Sequence, residues 1–164
     1  MAGVRDGIEQ AFRFLGARSI ATIRHSILID ASPERIFPLV SSGHGFKQWW
    51  AADVTEDVPR DLVTLGFFNR ATVYTLHPAR ILEATLAEWE CQSGEEWNGT
   101  ALLFDMLPQG EMRTLLRFSH LDWRAETEYF VACTTTWGEL MFRLKAAAEG
   151  KAPGPLFSAT GMAY

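Results

Sequence analysis

Hydrophobic positions change their spacing several times along the chain. Val4, Ile8, Phe12 and Leu15 recur at helical intervals, which predicts an amphipathic helix over 3–15 ended by Gly16. In IATIRHSILID (20–30) the period drops to two. Ile23, His25, Ile27 and Ile29 share one face and Arg24, Ser26 and Asp30 the other, the pattern of a half-buried strand. In SPERIFPLVSS, Ser32 suits an N-cap and Pro33 the first helical position, so a short helix runs through Arg35 to Val40, and Pro38 should kink or shorten it. Gly43 and Gly45 then break the chain before a second small helix at about 44–49, closed by Trp49-Trp50.

Residues 51–121 read as a meander of antiparallel strands. Turn signals fall at DVPRD (57–61), FNR (68–70), HPAR (77–80), QSGEE (92–96) and LPQGE (107–111). The clearest strand is 111–121, where Met112, Thr114, Leu116, Phe118 and His120 alternate with a set that carries Arg113 and Arg117. The first set therefore faces the interior. In 97–107 both parities are apolar, and the pattern alone assigns no face. From about Arg124 to Glu149 the period is helical again: Phe130, Cys133, Trp137, Leu140, Met141 and Leu144 form one stripe, and Gly150 followed by APGP stops the helix. A helix of about 26 residues is roughly 39 Å long and must cross the whole sheet. The final APGPLFSATGMAY reads as an extended tail.

This order is α+β: a curved antiparallel β-sheet gripping one long C-terminal helix, with two short helices after the first strand plugging one end. A space is then expected between sheet and long helix. The length of 164 residues suits one domain.

Charge and composition narrow the function. Fifteen Lys and Arg against twenty Asp and Glu give a net charge of −5, which supplies no positive field to gather nucleic-acid phosphates or anionic lipid. No apolar run approaches the roughly 20 residues that span a bilayer, which argues against stable membrane insertion. The N-terminus carries Asp6 and Glu9 and lacks the apolar stretch of a signal peptide, so a cytoplasmic protein is expected. Cys91 and Cys133 stand 42 residues apart, outside any CxxC pattern, and read as two reduced thiols.

Candidate chemistry is sparse. There is no G-x-S-x-G elbow, P-loop or dinucleotide fingerprint, and no HxxH, HExxH or paired acidic spacing for a metal; no cofactor is implied. Six Trp and eleven Phe are a heavy aromatic load, and some indole N–H groups are expected to line a partly wet pocket. The residues expected to line it are Trp49, Trp50, Trp97, Phe104, Leu116, Phe118, His120, Trp123, Phe130, Cys133, Trp137, Met141 and His25. Strand parity puts His25 and His120 on apolar faces, as satisfied core residues or as polar anchors and general acid/base candidates at one end of that pocket.

Five words carry a family resemblance: ILIDASPERIFPLV (27–40), FKQWW (46–50), EWNGTALLFDM (96–106), TLLRFSHLDW (114–123) and TWGELMFRLKAAAEG (136–150). In this order they resemble the START-like (SRPBCC, helix-grip, Bet-v-allergen-like) superfamily, and within it the branch of the Aha-type activator of the Hsp-90 ATPase. The tight G-G-T turn often seen in that branch is here Glu111-Met112-Arg113-Thr114. The resemblance divides the chain into an N-terminal helical extension (1–19), a helix-grip domain (20–150) and a C-terminal tail (151–164). It implies a cavity for an apolar or amphipathic small molecule, and with the aromatic load and no catalytic constellation in the sequence, binding without covalent chemistry is expected. Two other readings accompany it. One is a polyketide cyclase or dehydratase-like enzyme with His120 or His25 as acid/base; the other is an Hsp-90 activator-like interaction module. A homodimer is compatible with all three.

Overall fold

The computed structural model describes residues 21–163. The helix expected over 3–15 lies outside them. Strand β1 (Ala21–Ile29) leads into helix α1 (Pro33–Val40) and the single turn α2 (Gly43–Phe46). Six strands follow: β2 (Asp53–Asp57), β3 (Leu62–Phe67), β4 (Thr72–Leu82), β5 (Leu86–Cys91), β6 (Ala101–Pro108) and β7 (Thr114–Trp123). Helix α3 (Glu128–Ala148) closes the fold, and a short hairpin of β8 (Phe157–Ser158) and β9 (Gly161–Met162) comes after it. The seven long strands form one antiparallel sheet in the order β1-β7-β6-β5-β4-β3-β2. The sheet curves around α3, as the helical stripe demands: Phe130, Cys133, Trp137, Leu140, Met141 and Leu144 are all buried against it.

Ser32 and Pro33 open α1 where the sequence places them. The helix ends two residues after Pro38, and its last carbonyls are taken by indoles. Trp49 Nε1 donates to Leu39 O at 2.8 Å and Trp89 Nε1 to Val40 O at 2.9 Å, which satisfies two acceptors that a helix end leaves open. The second small helix covers Gly43–Phe46 and not 44–49.

Register settles the strand that the pattern left undecided. Leu102 pairs with His120, Phe104 with Phe118 and Met106 with Leu116, so the inward face of β7 carries the even residues of β6 inward with it. On β7 itself Thr114, Leu116, Phe118 and His120 are buried as the alternation requires. Met112 is not. It is 63% exposed in the turn before the strand begins.

Three other expectations are corrected. HPAR (77–80) is no turn: Pro78 pairs with Trp89 inside β4, and a bulge between Pro78 and Arg80 absorbs the missing N–H of proline. The hairpin turns instead at Glu83–Thr85, where Ala84 takes φ of 50° and no glycine or proline marks it. Helix α3 begins at Glu128, four residues later than read, because the Thr127 side chain caps it by accepting from Phe130 N at 3.1 Å. The segment after Gly150 is also not simply extended. Leu156 is fully buried, and Leu156 N and Phe157 N donate to Trp49 O and Trp50 O, both at 3.0 Å.

Candidate functional site

A cleft of about 220 Å³ opens between the β3–β4 end of the sheet, α3 and the C-terminal hairpin. Phe67 and Phe68 come from the end of β3 and its turn, Thr72 and Tyr74 from β4, and Trp50 and Trp97 from the loops behind. Helix α3 contributes Tyr129, Ala132, Cys133, Thr136, Trp137 and Leu140, one face over three turns. Phe157 and Met162 of the hairpin complete the wall. No charged side chain is among these residues.

The wall is an ordered aromatic stack. Tyr74 lies parallel to Trp97 with ring centroids 4.0 Å apart and 8° between planes, and Trp97 in turn stacks on Trp137 at 6.0 Å and 19°. Trp137 packs on Trp50 at 4.9 Å and on Phe118 at 4.2 Å. The Tyr74 and Tyr129 hydroxyls hydrogen-bond one another, and burial pushes both phenols above their usual range. Gly94 holds this stack from outside. Its φ is +92°, and a Cβ there would come within 2.6 Å of the Tyr74 ring.

Of the residues expected to line the pocket, Trp50, Trp97, Cys133 and Trp137 do so. Trp49, Phe104, Leu116, Phe118, Trp123, Phe130 and Met141 lie behind them in the packed core. His120 is also behind, fully buried, with its ring edge-on to Trp97 at 4.6 Å. His25 faces the flank of α3 and bonds Thr134 O through Nε2 at 3.1 Å, because β1 is the edge strand and runs alongside the helix, away from the cleft. The two histidines do not face a common space. Phe67, Phe68, Tyr74, Tyr129, Phe157 and Met162 belong to the cleft and were not legible as such. Their only signal is the aromatic content of 67–74 and 157, which the core explains equally well.

All six tryptophans are buried. Trp49, Trp89 and Trp137 have N–H acceptors, whereas Trp97 Nε1 and Trp123 Nε1 have none among the described residues. Burial raises the pKa of the Cys133 thiol and lifts Cys91 to about 12, so neither is a ready nucleophile. Among the described residues no cluster of three or more His, Cys, Asp or Glu could hold a metal, and no helix is long and apolar enough to cross a membrane.

Neither a family model nor a curated relative matches the sequence. Solved structures do. The Aha1 dimer from Colwellia psychrerythraea aligns with a TM-score of 0.65 at 26% identity, over 79% of this chain and 97% of that one. A START superfamily protein from Mycobacterium smegmatis aligns at 0.60 and 17% identity, over 78% and 97%. The chain has the helix-grip fold of the START-like superfamily. CalU16 from Micromonospora echinospora shares it as well, at a TM-score of 0.64 and 15% identity over 81% of this chain and 68% of that one.

Proposed function

We propose that this helix-grip protein binds an uncharged, planar small molecule of one or two rings in the cleft between β4, α3 and the C-terminal hairpin. The observation that carries the reading is the lining: stacked aromatic faces with hydroxyls at Thr72, Thr136, Tyr74 and Tyr129 and no charge. Such a wall rewards a flat apolar ligand and gives an ion nothing to offset its desolvation. The volume of about 220 Å³ sets the size. Benzene fits an engineered cavity of about 150 Å³, and drug-sized ligands occupy about 300 Å³ or more. On this reading the protein works in the cytoplasm as a carrier or sensor. A second copy of the chain is the partner to look for, as in the Aha1 dimer, by sedimentation.

An enzymatic reading through His120 loses its motive, since that ring is occupied on both nitrogens and does not touch the cleft.

The test is cavity filling. Ala132 is exposed on α3 at the cleft wall, so Ala132→Trp should keep the fold and abolish binding of a neutral two-ring probe such as 2-naphthol. Undiminished binding in that variant, or none in the parent protein, would defeat the reading.

A further inference from the structure

Two phenols meet on the cleft wall from positions 55 residues apart. Tyr74 sits on β4 and Tyr129 in the first turn of α3, and their hydroxyls hydrogen-bond one another. Both rings are held in place. Tyr74 is buried and lies flat on Trp97, with centroids 4.0 Å apart. Tyr129 follows the N-cap Thr127, whose hydroxyl donates to Glu96 Oε2 at 2.6 Å, and its ring packs on Trp123 at 6.2 Å. Burial raises the pKa of each phenol, so both keep their protons at neutral pH. Each hydroxyl has one proton to give, and the bond between them spends one of the two. The second remains, whichever oxygen carries it. The Cys133 thiol meets the Tyr129 hydroxyl, but sulfur is a weak acceptor. Thr136, on the same wall, differs: its hydroxyl donates to Ala132 O at 3.3 Å within α3, so its proton is spent.

We infer that the Tyr74–Tyr129 hydroxyl pair is the polar anchor of the cleft, and that the ligand is a flat neutral ring system carrying an acceptor oxygen: a phenol, an aryl ether or an aryl carbonyl. This rests on the cleft being a ligand site, and it adds the chemical class that the site selects. Most of the remaining wall is aromatic ring and aliphatic carbon, which accommodates a flat ligand without fixing its direction. A hydroxyl donor at one place gives it a direction. Because both phenol rings are already ordered, the new bond costs little side-chain entropy. A carboxylate is disfavoured at that place. Beyond the effect of burial, Glu96 pushes the Tyr74 phenol and the Cys133 thiol further up, and the same charge would repel an anionic ligand.

The experiment compares the parent protein, Tyr74→Phe, Tyr129→Phe and the two combined, with Kd for naphthalene, 2-methoxynaphthalene and 2-naphthol read by equilibrium dialysis. Phenylalanine keeps the rings, so naphthalene affinity should hold in every variant and reports that the wall is intact. The preference for each oxygenated probe over naphthalene should fall by about three- to tenfold in the double variant, the worth of one neutral hydrogen bond. Each single variant leaves one hydroxyl with its proton unspent and should keep most of the preference. An unchanged preference in the double variant, with the parent protein binding the probes, would overturn the anchor and leave the cleft reading standing. A fall for 2-naphthol without one for 2-methoxynaphthalene would mean that the pair accepts from the ligand, and would overturn the acceptor class. Full loss in one single variant alone would overturn the pair as a unit. A parent protein that binds none of the three probes removes the cleft reading and the anchor with it.

Discussion

The Trp137 indole N–H donates to His120 Nδ1 at 3.2 Å, and this one bond fixes the state of the ring. An indole nitrogen only donates, so Nδ1 must be the acceptor and the neutral imidazole carries its proton on Nε2. Nε2 then donates to Thr100 Oγ1 at 2.7 Å, and that hydroxyl donates to Trp97 O at 2.6 Å. The chain of donors runs one way, from helix α3 through the sheet to the loop behind the cleft. Burial of the neutral ring lowers its pKa from 6.5 to about 3. His120 is thus the strut behind the aromatic wall.

Stability should fall on the acid side because of this residue. An unfolded chain takes up the His120 proton near 6.5, the folded one only near 3. Between those values the unfolded state binds more protons, so the contribution is complete above pH 6.5 and is lost progressively as pH falls toward 3. His120→Phe should destabilise by about 1–3 kcal/mol near neutrality, by stranding Trp137 Nε1, while the Thr100 hydroxyl keeps its bond to Trp97 O. It should also show a shallower loss between pH 6.5 and 3 than the parent protein. Urea midpoints across that range check both.

Gly94→Ala should disturb the cleft from outside. The new Cβ meets the Tyr74 ring at 2.6 Å and must adopt φ of +92°, costs of about 1 kcal/mol for the backbone and about 1–3 kcal/mol for the overlap. Tyr74 should shift off Trp97, giving altered near-ultraviolet circular dichroism together with a lower Tm.

Neither thiol should react readily in the native protein. Cys91 and Cys133 are 2% and 8% exposed, and burial raises both pKa values. Ellman's reagent at pH 8 should label them slowly, and both at once in denaturant. Fast native labelling of Cys133 would mean that the cleft opens more widely than its walls indicate.

Glu149 ties the end of α3 to β1. It accepts from Lys145 Nζ at 2.5 Å, Asp30 N at 3.0 Å and Lys151 Nζ at 3.2 Å, and the Lys145 bond in particular brings its carboxyl down to about 2. The folded pKa lies below the unfolded value of 4.5, so this tie stabilises above 4.5 and is lost as pH falls toward 2. Glu149→Gln should flatten that part of the acid profile and fray the last turn of α3 in amide exchange.

Much of the fold was written locally. The alternation in β1 and β7, the Ser32-Pro33 start of α1 and the Phe130-to-Leu144 stripe each follow from short-range sterics and from which side of an element is apolar. These are properties of the chain read a dozen residues at a time. The site was not written this way. Tyr74 and Tyr129 are 55 residues apart and meet only because β4 and α3 pack together, while His120 looks like a pocket residue until its bond to Trp137 shows it standing behind the cleft wall. Aromatic content establishes that large rings are buried; it does not say which ring faces a void, since core and cleft wall demand the same side chains. That distinction was made by the hairpin at 157–162 reaching back across the sheet end, a placement fixed by backbone bonds to Trp49 and Trp50 that no local pattern encodes.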